Sequence, residues 1–363
     1  MRMESVTQEN IQAFRSAVQQ SARIAVVGHT HPDGDALGSC TAMSLWLVAL
    51  GKEVTCVLPD TPADNLLFIL SPEVSYLCLD RDASAAQAAI QACDLLIQLD
   101  CNQFSRTEGL APFLKASIAK KILIDHHLNP DCESFDVVFS TPEISSASEL
   151  LYWVLKAAEG DTLGPSGLGM TKEEGLGRTK EEGLGRTIGT ALMIGMTTDT
   201  NNFANSVFPS TFQMASELIA AGVNRDALLQ QLYSSYRENR VRLMGYMQYE
   251  GLKVLPEGAA YMILTKDIMN RFDLREGESE GLVNVPLTIG TVKLSVLLKE
   301  DDGHFRVSVR SKKGTSAQQL AVRYFHGGGH ENASGGKLFM GTDIPDAQAA
   351  EAYVSNALKT FLA

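Results

Sequence analysis

The sequence predicts an α/β protein, with a parallel-sheet N-terminal domain followed by a smaller α/β domain. Three observations carry this reading. Short β-branched or continuously apolar runs alternate with helical stretches from residue 8 to residue 125, the texture of a parallel sheet covered on both faces. Three of those runs end directly in polar motifs: after Val27, at Asp100 and at Asp125. Near Gly251 the alternation gives way to longer strands, two of them flanking the hairpin turn signal EDDG.

The elements follow in order. Residues 8–20 read as a helix and Arg23–Val27 as a strand. GHTHPDGDALGS follows, then an apolar helix over about 36–50. Strands are predicted at 53–58, 74–79, 94–99 and 121–124. Helices resume at 187–198, 210–221, 225–235 and 237–250. The second domain should hold strands at 259–264, 291–299, 304–311 and 336–340. A helix over 315–324, a glycine-rich loop at 327–329 and a C-terminal helix over 347–361 complete it. Residues 160–186 break the pattern. TKEEGLGR occurs twice there in tandem, and eight residues are too few for a solenoid unit. Glycine-rich and without an apolar face, this stretch reads as a flexible or loosely helical surface insertion. The expected boundaries are therefore 1–236 for the first domain, 237–251 for a linker helix and 252–363 for the second domain.

Composition excludes several classes. Of 363 residues, 31 are Lys or Arg and 43 are Asp or Glu, a net charge of −12. Such a chain lacks the broad cationic face that long duplex nucleic acid requires. No run of eighteen apolar residues occurs, and the N-terminus has no apolar signal core. A cytoplasmic protein without a membrane partner is expected. The six cysteines show no C-x-x-C spacing and read as reduced thiols, not as a disulfide framework or zinc site.

The seven histidines are clustered: His29 and His31 in the first motif, His126 and His127 in IDHHLNP, and His304, His326 and His330 between Gly303 and Glu331. Imidazole beside carboxylate is the usual equipment for transition metals. His29, Asp33 and Asp35 form H-x-x-x-D-x-D after a strand. Asp100 ends an apolar strand, and Asp125, His126 and His127 end another. Asp199 lies in TTDTNN at the end of an apolar helix. A D-x-D alone is weak, since turns favour Asp and Gly; the full set converging on one sheet edge is not. Mixed carboxylate and imidazole donors suit Mn²⁺, with Mg²⁺, Co²⁺ or Fe²⁺ as competitors. Two such ions bridged by a carboxylate suit phosphoester hydrolysis. No Walker A pattern is present, so an ATPase reading has no support.

From Gly303 to His330 there are five Lys/Arg, three His and no Asp or Glu, a basic island in an acidic chain. GGGH would let backbone N–H groups of Gly327, Gly328 and Gly329 approach an anion. Arg310 and His330 would then clamp a phosphate.

Taken in order, GHTHPDGDALGS, the strand-end Asp100, IDHH, TTDTNN and GGGHENASG resemble the DHH phosphoesterase superfamily with its DHH-associated C-terminal domain. The resemblance covers nearly the whole chain. Overall length and the lack of further domains look most like the NrnA-type nanoRNase/pAp phosphatase branch. The resemblance implies an enzyme that hydrolyses short oligoribonucleotides and 3′-phosphoadenosine 5′-phosphate (pAp). It implies two divalent cations, Mn²⁺ first, with Mg²⁺ or Co²⁺ as alternatives. One would be held by His29, Asp33, Asp100 and Asp199, the other by Asp35, Asp100, His126 and Asp199, so that Asp100 and Asp199 bridge. Asp125 would orient the imidazoles, and His127 would support the ligands or touch the reacting phosphate. Arg310, His330 and the 327–329 backbone would receive the far end of the substrate. His31 lies off the ligand pattern.

This reading places a short single-stranded RNA or nucleotide in a cleft between the domains, with the second domain limiting substrate length. A homodimer through an apolar sheet edge is a further expectation. The competing readings are a cyclic di-AMP or pApA phosphodiesterase, which shares every motif, and a RecJ-like single-strand exonuclease, whose relatives are larger. A manganese inorganic pyrophosphatase shares the N-terminal motifs but lacks the GGGH loop. A non-enzymatic binding module is disfavoured because no expected ligand is missing.

Overall fold

Every residue of strand β1 (Arg23–Val27) after the first is buried, because neighbours cover it on both sides and helices cover both faces. The structure is a computed structural model that describes residues 6–159, 180–234 and 236–363, with side chains from residue 185 onward in the helix that begins at residue 180. The first unit, Met1–Ser234, runs α1 (Gln8–Gln20), β1, α2 (Gly34–Ala49), β2 (Glu53–Leu58), β3 (Ser75–Cys78), α3 (Ala83–Ala92), β4 (Leu95–Leu99), α4 (Ala111–Ala116), β5 (Lys120–Asp125), β6 (Val137–Ser140), α5 (Ala147–Glu159), α6 (Lys180–Asp199), α7 (Pro209–Ala220) and α8 (Arg225–Tyr233). Its six strands are all parallel, in the order β3-β2-β1-β4-β5-β6.

The period of two along each strand splits the core into two layers. Ile24, Val26, Leu95, Ile97, Leu99, Ile122 and Ile124 point to one face, into a cluster with α1, α2 and α5 to α8. Ala25, Val27, Leu96 and Leu123 point to the other, where α3 and α4 pack. Both layers being apolar explains why these strands read as continuous hydrophobic runs. Helix α2 is buried along nearly its whole length, so it lacks a polar stripe. It crosses α6 at close range. A Cβ on Gly38 would sit 2.5 Å from the Ala191 carbonyl oxygen, and one on Gly34 would sit 2.4 Å from Thr198 Oγ1. At Gly38 the missing side chain lets the two backbones approach, and at Gly34 it leaves room for the Thr198 side chain.

Two expectations change here. The helix expected from residue 187 begins at Lys180, so the second TKEEGLGR copy supplies its first turns. Helix continuity into the apolar stretch outweighs the two glycines in that copy. The rest of the 160–186 insertion, residues 160–179, lies outside the described residues. Strand β6, which follows the DHH-containing segment, is an additional edge strand.

The second unit, Ser235–Ala363, runs α9 (Glu238–Tyr246), β7 (Lys253–Val254), β8 (Ala259–Leu264), α10 (Lys266–Arg271), β9 (Leu294–Asp301), β10 (His304–Ser311), α11 (Ala317–Tyr324), β11 (Gly328–Gly329), β12 (Ala333–Phe339) and α12 (Ala350–Leu362). Its sheet has the order β11-β12-β10-β9-β8-β7 and is mixed, since β8 and β9 are parallel and the other pairs antiparallel. One face packs on α11 and α12 through Phe305, Val307, Val309, Leu320 and Val354. The stretch expected as a linker helix is α9 followed by a π turn, Met247–Gly251, and its Leu243 and Met247 pack into a cluster with Met262, Leu264 and Leu297. Strand β12 starts three residues before the expected 336, because it pairs with β10 from Ala333 onward. Among the described residues, no helix is long and apolar enough to cross a membrane.

Candidate metal centre

The loop after β1 delivers His29. Its Nδ1 lies 2.8 Å from the Thr30 carbonyl oxygen, which accepts only, so Nδ1 carries the proton. Nε2 faces the carboxylates, 3.3 Å from Asp100 Oδ2 and 3.9 Å from Asp33 Oδ1, and is the nitrogen whose lone pair a cation would take in place of a proton. Asp33 caps α2: its Oδ1 accepts the N–H groups of Asp35 and Ala36 at 2.9 and 3.1 Å.

Asp35 sits in the first turn of α2 and is buried. The start of α5 holds both its oxygens, Ala147 N–H donating to Oδ2 at 2.7 Å and Ser148 N–H to Oδ1 at 3.0 Å. Those are unpaired N-terminal amides of a helix, natural donors to an anion. The segment before α5 is tied down by buried Glu149, which accepts from Ser145 N–H at 3.1 Å and from Thr211 Oγ1 at 2.7 Å.

Asp100 lies at the middle of the site. It follows β4 with a left-handed φ of 55°, a conformation uncommon outside glycine that aspartate tolerates better than most residues. Its N–H donates to the Ile124 carbonyl at 3.1 Å, which fixes the turn against β5. One carboxylate oxygen faces His29; the other, Oδ1, lies 3.3 Å from His126 Nε2 and is buried without a hydrogen-bond partner. His126 Nε2 also faces Asp199 Oδ2 at 3.5 Å and Asp35 Oδ2 at 3.8 Å. Asp199 is the last residue of α6, so the α2–α6 crossing brings it to Asp35. The donor atoms thus gather into groups, each within 4.8 Å: His29, Asp33 and Asp100; Asp35, His126 and Asp199; Asp100, Asp125 and His127.

The charges are unbalanced in a way a cation would correct. Burial lowers the affinity of His126 for a proton, but Asp199, Asp100 and Asp35 outweigh it and push the imidazole up to about 10. His29 is raised in the same sense, burial being overcome by Asp100 and Asp33. Burial together with the Asp100 and Asp199 charges holds the Asp35 carboxyl well above its usual range. For Asp100 burial acts upward, yet the flanking His126 and His29 bring it well below. Protons here stand where a divalent cation would serve. The donor chemistry and a buried Asp100 Oδ1 held by nothing closer than the His126 imidazole at 3.3 Å fit such an ion.

His127 sits differently. Its Nδ1 lies 2.8 Å from Asp125 Oδ1, its N–H donates to Asp125 Oδ2 at 2.9 Å, and its Nε2 accepts from Arg106 Nη1 at 2.8 Å. Burial, with Arg106 nearby, lowers its proton affinity despite Asp125. Arg106 was not singled out from the sequence. It lies in a helical turn, Phe104–Leu110, after Asp100, where only proximity to that strand end hints at a role. Gly195 was missed too: a Cβ there would lie 2.0 Å from Ser148 Oγ and 2.6 Å from Asp35 Oδ1. His31 stays outside these groups. Its N–H donates to Asp60 Oδ2 at 2.7 Å, anchoring the loop.

In the second unit Arg310 lies on the side of β10 opposite the buried Val309, and its Nη1 donates to the Val309 carbonyl at 3.0 Å. The glycine triplet has a packing reason besides anion contact. Gly328 and Gly329 form β11 against Gly335 and Ser334. A Cβ on Gly327 would lie 1.9 Å from the Gly335 carbonyl oxygen, and one on Gly329 would lie 2.8 Å from the Ala333 oxygen. Around Gly328 the space is open. The N–H groups of Gly327 and His330 donate to the carbonyls of Ala321 and Ala333.

Comparison with known proteins accords with this geometry. The model of the DHH family, N-terminal domain, matches residues 23–196, and that of the DHHA1 domain matches residues 259–356. An exopolyphosphatase-related protein of Bacteroides fragilis superposes with a TM-score of 0.86 at 30% identity, covering 99% of this chain and 98% of its own. The chain belongs to the DHH family. Its two family domains fall one in each unit. Among curated relatives, the bifunctional oligoribonuclease and PAP phosphatase NrnA of Bacillus subtilis is 28% identical over 86% of this chain and 88% of its own length. NrnA of Thermus thermophilus is 28% identical over 89% and 86%. A cyclic-di-AMP phosphodiesterase, GdpP of Geobacillus thermodenitrificans, is 24% identical over 88% of this chain but 45% of its own length.

Proposed function

We propose that this protein hydrolyses phosphoesters of short nucleotides, namely oligoribonucleotides of a few residues and pAp, with two divalent cations, Mn²⁺ being the best fit. The observation that carries the reading is Asp100, which presents one oxygen to His29 and the other to His126, each at 3.3 Å. A carboxylate so placed would serve two divalent cations at once. The NrnA relatives, similar along both units, supply the substrate class.

His29, Asp33 and Asp100 would hold one cation, and Asp35, His126 and Asp199, with Asp100, the other. Asp199 was expected to serve both; its placement favours the second group. When bound, such a pair polarises phosphoryl oxygens and makes a water strongly nucleophilic. The chain's own residues do the rest. The α5 amides keep Asp35 aimed inward. Asp125 keeps the His127 ring in one orientation, and Arg106 sets a positive charge beside it, suited to a non-bridging phosphoryl oxygen. Arg310, Gly328 and His330 supply anion contacts on the second unit.

The test is a panel with added Mn²⁺: pAp, pApA, cyclic di-AMP, a five-mer RNA, a 24-mer RNA and pyrophosphate, with Asp199→Ala as blank. Hydrolysis of pAp and the short RNAs, with the 24-mer spared, is the expected result. The GdpP similarity makes cyclic di-AMP the informative competitor. Preference for the 24-mer or for pyrophosphate overturns the proposal.

A further inference from the structure

The loop that leaves Asp199 carries an aromatic pair that the centre described above does not use. Phe203 and Phe212 stack with centroids 5.5 Å apart and planes 19° from parallel. Phe203 leans on the core, whereas Phe212, in the first turn of α7, leaves 55% of its surface exposed. The Arg225 guanidinium carbon lies 5.5 Å from the Phe203 ring centroid, and its Nη2 donates to Asn202 Oδ1 at 2.5 Å.

Holding Phe203 there is conformationally costly. Asn201, Asn202, Phe203 and Ser206 have φ of 47°, 57°, 65° and 51°. Asparagine tolerates left-handed backbone, but for a bulky aromatic such as Phe203 it is an outlier. Thr200, next to Asp199, organises the turn: its Oγ1 accepts the Phe203 N–H at 3.0 Å, and its carbonyl accepts the N–H groups of Ala204 and Asn205, each at 2.9 Å.

We infer that Phe212, backed by Phe203, whose ring the Arg225 guanidinium faces in turn, is a stacking platform for one nucleobase of the substrate. The inference rests on the proposed nucleotide hydrolase reading and deepens it. An aromatic face with a guanidinium beside it matches a flat base joined to an anionic backbone. Phe203 lies four residues along the chain from Asp199, a stretch that spans at most about 14 Å. Stacking tolerates any base, so base identity should matter little here.

The experiment compares kcat/KM for a diadenylate with that for the same compound lacking one base, in wild type, Phe212→Ala, Phe212→Trp and Arg225→Gln. The readout is the ratio between intact and abasic substrate. Phe212→Ala should shrink that ratio about ten- to hundred-fold through KM, with Phe212→Trp restoring it. Equilibrium dialysis of the diadenylate with Ca²⁺ reads the same contact without turnover. An unchanged ratio in Phe212→Ala, with wild type hydrolysing the diadenylate, overturns the platform and leaves the hydrolase reading standing. Absence of all hydrolysis overturns the hydrolase reading; dialysis then decides the platform, and equal binding by wild type and Phe212→Ala overturns it.

Discussion

Arg106 Nη1 sits 2.8 Å from His127 Nε2, on the side of the ring opposite Asp125. The imidazole is thereby gripped at both nitrogens, Nδ1 as donor and Nε2 as acceptor, so it is held neutral in one tautomer. Arg106→Ala should lower kcat by roughly ten- to hundred-fold, the usual consequence of losing a partner that orients a site imidazole. Arg106→Lys should recover only part, because an ammonium cannot reproduce the planar fork. Steady-state kinetics on pAp check both, and a purely KM effect would count against an orienting role.

Cation binding should release protons. Without a cation His126 is held protonated well above neutral pH by Asp199, Asp100 and Asp35, and His29 is raised likewise. A ligand imidazole must be neutral, so ions displace these protons and affinity should rise with pH. Titration calorimetry with Mn²⁺ at pH 7 in two buffers of different ionisation enthalpy should give different apparent heats. Identical heats would mean that these histidines are not displaced.

Gly195→Ala should damage the centre although the residue bears no functional group. The added Cβ meets Ser148 Oγ and Asp35 Oδ1, so α6 must shift or Asp35 must turn from the α5 amides. Overpacking of this kind costs about 1–3 kcal/mol. Denaturant unfolding should show that loss, together with weaker Mn²⁺ binding. Normal metal affinity would show that the helix crossing tolerates the methyl group.

Asp199→Ala and Arg310→Ala should fail in different ways. The first removes a carboxylate facing His126 and should abolish activity on every substrate. The second should chiefly raise KM, as loss of binding shared by ground and transition states does. Equal collapse of kcat in both would contradict separate reacting and gripping roles.

Much of the centre was legible because its residues fall where strands end. Val27, Leu99 and Asp125 close β1, β4 and β5, adjacent in one parallel sheet, so their following residues emerge on one edge. Arg106 was not legible, since an arginine in a polar helical turn has no periodic or motif signature. The glycine triplet was legible as a motif but not in its cause. Chain crossing at Gly327 and Gly329 requires glycine whatever the loop binds.

The sequence by itself determined the alternation of strands and helices, the donor types at the strand ends and the order of the motifs, because these depend on local pattern and short spacing. Only the tertiary structure decided the distances at which Asp100, expected from the resemblance to lie between His29 and His126, faces each ring, and that α5 amides hold Asp35. It also decided that Arg106 closes on His127. Such contacts join segments tens to more than a hundred residues apart, and their geometry is set by how helices and strands pack, which local pattern does not encode.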